Sequence, residues 1–443
     1  MQRSALVVII LSCLLSESLG KVGFGPGEQD WGYVTVRKYS HMFWWLYYTT
    51  ADVQSYYEKP LVIWLQGGPG ASSTSYGNFE ELGPLDTNLK PRNYTWVKDY
   101  NVLFIDNPVG AGFSYVENSS AYAQTNEQIA IDLVECMKGF LQKLPKFSDV
   151  STYILTESYG GKMGAEFALL WYKEQQAGTI KSNLKGIGLG DAWISPIDSV
   201  LTWAPFLLST GMIDSNGYRK IEILANATRD AVNSGRWSMA TSLREHTKNT
   251  ILQVTDNIDF YNILTKLSPS YGPSQTLGKL SSFYTEGDAK YHNLILRDSK
   301  NLEDLMNGPV ITALGLKTFH GRQSDMVFNM LREDFMKPVV DKVEFLLNET
   351  NFNVVVYTGQ LDLVVDIPGT VLWIDNMHWI NSYNWHNAKR FSLVSDHIIE
   401  GYSKHYDNFG LYWVNRAGHM VPKDNPAAME KILKDLTKNA NAK

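Results

Sequence analysis

The sequence contains a serine placed as a nucleophile would be. Ser158 lies in Tyr153-Ile154-Leu155-Thr156-Glu157-Ser158-Tyr159-Gly160-Gly161, which reads as an apolar strand, a sharp turn and a helix opening near Lys162. A serine in a strand-to-helix turn is lifted above a sheet, and small residues let the strained turn close. The helix N-terminus that follows offers N–H groups and a positive dipole end to a developing oxyanion. Thr156 stands where the usual Gly-x-Ser-x-Gly turn has its first glycine, and a serine between Glu and Tyr also reads as an ordinary helix N-cap.

A second segment changes that balance. Gln66-Gly67-Gly68-Pro69-Gly70 follows the apolar run Leu61 to Leu65 directly. Three glycines around one proline can turn successive N–H groups outward into an anion-binding concavity. Two strand-ending turns of this kind fit a nucleophile facing an oxyanion loop. A serine nucleophile then needs a histidine base and an acid to orient it, and in α/β hydrolases the acid precedes the histidine along the chain. Asp362 follows the run Val354 to Tyr357, and His419 follows Leu411 to Val414, in that order. Asp366, His397 and His405 are further candidates that spacing does not exclude.

These residues need a sheet to carry them. Trp31 to Val36 and Met42 to Tyr48 read as an aromatic, β-branched hairpin. Leu61 to Leu65, Val102 to Ile105, Tyr153 to Leu155, Leu184 to Leu189, Val354 to Tyr357 and Leu411 to Val414 are compact apolar runs, as buried parallel strands should be. Strands alternating with helices imply an α/β fold with ligands at the carboxyl ends of the strands. Between about 196 and 306 that rhythm fails. Helical patterns such as Tyr218 to Val232 and Met239 to Gln253 suggest an inserted cap. The expected organisation is a leader over 1–20, a core in two parts over 21–195 and 307–443, and a helical cap over 196–306.

The 443-residue chain is 44% hydrophobic and 19% charged with a net charge of −6. That is enough for a large core, and it lacks the basic footprint that nucleic-acid binding requires. Arg3, the apolar run Ala5 to Leu15 and Ser18-Leu19-Gly20 have the form of a secretory leader, too short to span a bilayer comfortably. No later run is long enough to span one, so a soluble protein of the secretory pathway is expected, secreted or lumenal in a lysosome or vacuole. Four Asn-x-Ser/Thr sequons, at Asn93, Asn118, Asn226 and Asn348, are glycosylation candidates behind such a leader. The only cysteines are Cys13, inside the leader, and Cys136, in an amphipathic run from Ile129 to Leu141. The mature chain can therefore form no internal disulfide and no cysteine-based metal site, and Cys136 reads as a buried, inert thiol.

Four blocks together resemble the serine carboxypeptidase family, which has the α/β-hydrolase fold. They are Trp64 to Ser73 with Glu81-Leu82-Gly83-Pro84, Asp106 to Tyr115, Glu157 to Gly161, and Gly418-His419-Met420-Val421-Pro422. They occur in family order from about Trp31 to the C-terminal helix. The resemblance implies Ser158 as nucleophile, His419 as base and Asp362 as orienting acid, with an oxyanion hole from the N–H groups of Gly68 and Tyr159. It implies that Gln66, the N–H of Gly67, and Glu157 with Glu81 beside it read the substrate's terminal carboxylate. It implies no metal or organic cofactor, and peptide or protein C-termini as partners. Two carboxyls held together cannot both ionise cheaply, so such a pair keeps a proton at acidic pH and can offer it to a substrate carboxylate. An acidic optimum follows.

This chain departs from the family pattern at several places. Gln66 stands for the usual Asn, Ala71 for a usual Cys, Thr156 for Gly, and Asp191 follows Gly190 where Asn is common. The family's disulfides are absent. Hydrolysis of a C-terminal residue is the leading reading, acyl transfer to an alcohol a second, and a weakly active scaffold or protective protein a third.

Overall fold

The computed structural model describes residues 20–267, 299–321 and 323–438. Apart from Gly20, the leader lies outside the described residues, as does the part of the expected cap from 268 to 298.

A mixed sheet of 12 strands organises the chain. Its middle is formed, in spatial order, by Asn101–Ile105, Leu61–Leu65, Thr152–Glu157, Leu184–Gly190, Asn353–Gly359 and Phe409–Val414, all parallel. These strands are buried almost throughout because helices cover both faces, which is why they read as continuous apolar runs rather than alternating ones. Alternation survives as a choice of face. Ile63, Leu103 and Ile154 enter one apolar core, while Val62, Trp64, Val102, Phe104, Tyr153 and Leu155 enter the other. The first core lies under the helices Asn126–Lys143 and Tyr159–Gln176, and the second under Pro426–Thr437.

Antiparallel strands extend the sheet at both ends. Glu28–Arg37 pairs with Ser40–Tyr47, as the hairpin reading expects, and the latter joins Asn101–Ile105. At the other end Ile398–Tyr406 and Arg390–Ser395 follow Phe409–Val414. Trp44, Trp45, Tyr47 and Tyr48 are core residues, each at most 2% exposed.

Chain order fixes where a ligand belongs. From Leu61–Leu65 the chain moves to its neighbour on one side, whereas from Thr152–Glu157 it moves to the other side. The crevice at such a reversal, above the carboxyl ends of the strands, is where open α/β sheets bind ligands. The two turns at that crevice are Gln66–Gly70 and the one holding Ser158.

Within 196–306, the helices Pro196–Ser209, Ser215–Asn233 and Trp237–Val254 follow one another, then a two-stranded ribbon, Ile258–Asp259 with Asn262–Lys266. Buried Arg244 from the third helix stacks on Trp193, Trp203 and Phe335, tying the helices to the core. No described helix is long and apolar enough to cross a membrane. Cys136 is buried, and burial pushes its thiol far up, which makes it unreactive.

Candidate active site

Ser158 has φ 62° and ψ −130°, a left-handed position that a side chain adopts only when its surroundings impose it. Three backbone bonds hold it. Its N–H donates to Gly190 O at 3.0 Å, and its carbonyl accepts from Gly161 at 3.0 Å and Trp193 at 2.9 Å. The helix begins at Tyr159, three residues before the expected Lys162. The two glycines that read as part of the turn belong to the helix's first turn, where the fold needs them small. A Cβ on Gly160 would sit 2.3 Å from Leu65 O, and one on Gly161 would sit 2.3 Å from the Ala192 Cβ. Thr156, in the place of the missing motif glycine, stays within the strand and donates its hydroxyl to Gly188 O at 3.0 Å.

The glycine loop packs against this turn. A Cβ on Gly67 would lie 2.6 Å from the Ser158 Cβ and 2.9 Å from Tyr159 N, so only glycine lets the loop approach the elbow this closely. Gly68 lies in the left-handed region with φ 111°. Tyr159 is fixed at its far end: its hydroxyl donates to Asp334 at 3.2 Å, and its ring stacks on Phe335. Asp334 also pairs with the buried Lys162 at 2.7 Å, which anchors the first turn of the helix from the other side.

Asp362 and His419 meet. His419 Nδ1 lies 2.8 Å from Asp362 Oδ2, with both side chains fully buried. The other Asp362 oxygen accepts from the Val364 N–H at 2.7 Å. The His419 N–H donates to Tyr261 O at 2.8 Å, and the imidazole packs edge-on against the Tyr261 ring at 4.5 Å. Its Nε2 is buried without a partner, so it makes no hydrogen bond to Ser158 Oγ. Such bonds commonly close only when substrate arrives. Of the other candidates, Asp366 is buried at a helix start and accepts from Thr202, while His397 and His405 belong to the antiparallel edge, away from the crevice.

Beside Ser158, Gln66 joins two carboxyls. Its Nε2 donates to Glu157 at 2.8 Å and to Glu81 at 3.1 Å, and its Oε1 accepts from the Trp64 indole at 2.7 Å. The extra methylene relative to Asn therefore leaves the amide fully engaged. The second oxygens of Glu81 and Glu157 have no donor. Burial, then the charge of Glu81 and a hydrogen bond to it, pushes the Glu157 carboxyl well above the usual range. Glu81 is pushed up by burial to about 7, held back by its bonds to Glu157 and Gln66 and by the charge of Lys423. Both carboxyls are raised, so the pair keeps a proton at acidic pH.

Gln66, Gly67, Gly68, Glu157 and Ser158 line one partly open cavity with Ala71, Tyr76, Tyr261, Gln323 and Met420. Met420 adjoins His419 in sequence, and Tyr261 lies against its ring, so the His419 imidazole lies beside the cavity that Ser158 and Glu157 line. Tyr261, Tyr76 and Gln323 were not singled out from sequence. Tyr261 and Gln323 lie 103 and 165 residues beyond Ser158, and only tertiary packing brings them in. The sequons Asn93, Asn118 and Asn348 are exposed and Asn226 is half-buried.

Comparison with known proteins agrees with this geometry. The family model for serine carboxypeptidases matches residues 22–439. The retinoid-inducible serine carboxypeptidase of Mus musculus is 43% identical over 97% of each chain. Serine carboxypeptidase-like 51 of Arabidopsis thaliana is 36% identical, covering 98% of this chain and 97% of its own. Among solved structures, a prohormone-processing carboxypeptidase of Saccharomyces cerevisiae shares the fold, with TM-score 0.80, 21% identity, and 95% and 94% of the two chains covered. The chain belongs to the serine carboxypeptidase family and has its α/β-hydrolase fold.

Proposed function

We propose that this serine carboxypeptidase removes C-terminal residues from peptides at acidic pH, and that Ser158, His419 and Asp362 carry the reaction. The observation that carries this reading is the carboxyl pair Glu157–Glu81, clamped by Gln66, with Gln66 and Glu157 lining the same cavity as Ser158. A proton shared by two buried carboxyls lets the site accept a substrate carboxylate that a doubly ionised pair would repel. Gln66, the N–H of Gly67, Glu157 and Glu81 then hold the free C-terminus next to the nucleophile.

Ser158 Oγ attacks the last peptide carbonyl and its proton passes to His419 Nε2, while Asp362 holds the ring through Nδ1 and stabilises the imidazolium. The N–H groups of Gly68 and Tyr159 bind the oxyanion. His419 returns the proton to the leaving amino group, and water then cleaves the acyl-enzyme by the same route in reverse. This chemistry is complete without a metal or organic cofactor. The acyltransferase reading is not favoured, since relatives 43% identical over 97% of this chain are named as serine carboxypeptidases.

The leader-like N-terminus and the exposed sequons support a glycoprotein of the secretory pathway, secreted or lysosomal, where an acidic optimum has a use. Two measurements test the reading. Hydrolysis of a blocked dipeptide should be faster at pH 5 than at pH 8, and equal rates would remove the role of the carboxyl pair. An organophosphonate should label the protein stoichiometrically and fail to label Ser158→Ala; an unlabelled wild type would remove the enzyme reading altogether.

A further inference from the structure

Behind the Asp362–His419 pair stands a third carboxyl that the mechanism leaves unused. Asp191 follows the strand Leu184–Gly190, is 1% exposed, and has φ 39°. That conformation is uncommon for a residue with a side chain, and here two strands impose it. Its N–H donates to Tyr357 O at 2.9 Å, and its Oδ1 accepts from the Gly359 N–H at 2.8 Å. The carboxyl is thus pinned to the end of the strand that delivers Asp362. Its Oδ2 is buried without a donor. Asp191, Asp362 and His419 each offer an atom within 4.8 Å of the others.

Two buried carboxylates facing one another, one of them lacking a donor, are unfavourable unless a proton lies between them. Asp362 is committed as an acceptor at both oxygens, from Val364 N–H and from His419. The proton therefore belongs on Asp191. We infer that Asp191 is a protonated positioning residue, which donates a hydrogen bond to Asp362 and so fixes the carboxylate that orients His419. This inference rests on the triad proposed above.

Burial is the largest influence raising the Asp191 carboxyl, followed by the charge of Asp362; a side-chain bond to Asp362 acts in the same direction, against the bonds from Gly359 and Thr358, and the net effect is well upward. The neighbouring strand end contributes Glu157, whose own carboxyl is raised in part by Asp191. Tyr357 and Thr358 come from the strand on the other side, and the Tyr357 hydroxyl donates to Thr156 O rather than to Asp191. The functional consequence follows from charge. A donor on Asp362 spreads its negative charge, and removing that donor concentrates the charge beside His419 Nδ1.

The test is the rate of organophosphonate labelling of Ser158 in the full chain from pH 4 to pH 8, a readout that needs no substrate carboxylate and so bypasses Glu157 and Glu81. Asp191→Asn keeps the shape, the acceptor for Gly359 and a donor for Asp362. It should label within about three-fold of wild type with its acid limb in place. Asp191→Ala removes the donor, and should slow labelling at pH 5 by about ten-fold and move the acid limb up by about one pH unit. A melting curve establishes folding, and Asp191→Ser, too short to reach Asp362, replaces Asp191→Ala if that variant does not fold. An unmoved acid limb in the donor-free variant, or an Asp191→Asn as impaired as that variant, would overturn the inference. A wild type that does not label would instead overturn the triad itself.

Discussion

Two clusters built around buried carboxyl groups, one around Asp106 alone and one around the pair Glu157 and Glu81, lie beside the crevice, and they are built in opposite ways. Asp106 is fully buried and accepts four hydrogen bonds. Ser72 Oγ at 2.7 Å and Thr74 N–H at 3.0 Å reach one oxygen, and Thr74 Oγ1 at 2.9 Å and Phe113 N–H at 2.8 Å reach the other. Glu157 and Glu81 are equally buried, but share the single amide of Gln66 and leave two oxygens without donors. Burial pushes all three carboxyls up. Around Asp106 the hydrogen bonds pull back, whereas around Glu157 a second carboxyl pushes the same way. A carboxylate surrounded by donors ties the loops together, and one surrounded by carboxyls keeps a proton for use. Charge burial alone does not distinguish structure from chemistry. The partners do.

The largest expected effect belongs to the chemical side. Ser158→Ala should lower kcat by about 10⁵-fold or more while leaving the fold intact, and Asp362→Asn should cost about 10⁴-fold through loss of the ring's orientation. Rates against a blocked dipeptide, beside circular dichroism, check both.

On the structural side, Asp106→Ala leaves four donors without their acceptor and should destabilise the protein by about 3–5 kcal/mol. Urea unfolding of the variant measures it. A loss below about 1 kcal/mol would erase the contrast between the two clusters.

Glu157→Gln should have a smaller effect that depends on pH. The amide cannot ionise and breaks the coupled titration of the pair, so the fall in activity between pH 5 and pH 8 should flatten, at a cost of about ten-fold in kcat/KM at pH 5. A variant with the wild-type profile would show that another group sets the acid optimum.

The smallest effect is on stability. The folded state raises both carboxyls above their unfolded values, so it binds more protons than the unfolded chain. The resulting stability is fully present below the ordinary carboxyl range and is lost as pH rises through about 7, where Glu81 ionises. The melting temperature should therefore be higher at pH 5 than at pH 8 by about 2 °C or more, and the double variant Glu157→Gln with Glu81→Gln should narrow that gap.

What was legible in the sequence follows from how locally each feature is encoded. The six central strands stand out because strands covered on both faces must be apolar throughout. Ile398–Tyr406 and Arg390–Ser395 do not, since they lie at an edge where exposed positions such as Ile398, Ile399 and Phe391 mix with polar ones. Sequence places the helix start three residues late because Gly160 and Gly161 look like turn residues, and only Leu65 O and Ala192 explain why they are small. The proposed triad Ser158, Asp362 and His419 rests on strand-end positions and the family blocks, whereas spacing alone leaves Asp366, His397 and His405 open. Asp191 was visible only as a departure from a common Asn. Its place against Asp362 depends on two paired strands far apart in sequence, in which Val354 pairs with Ile187, 167 positions earlier.

The central claim is that the protonated carboxyl pair makes Ser158 a reader of free C-termini. One peptide, offered at pH 5 as its free acid and as its C-terminal amide and followed by mass spectrometry, tests it most directly. The account predicts stepwise loss of single residues from the free acid, about 100-fold slower loss from the amide, and neither with Ser158→Ala. Equal rates on the two peptides, or cleavage at internal bonds, would contradict it.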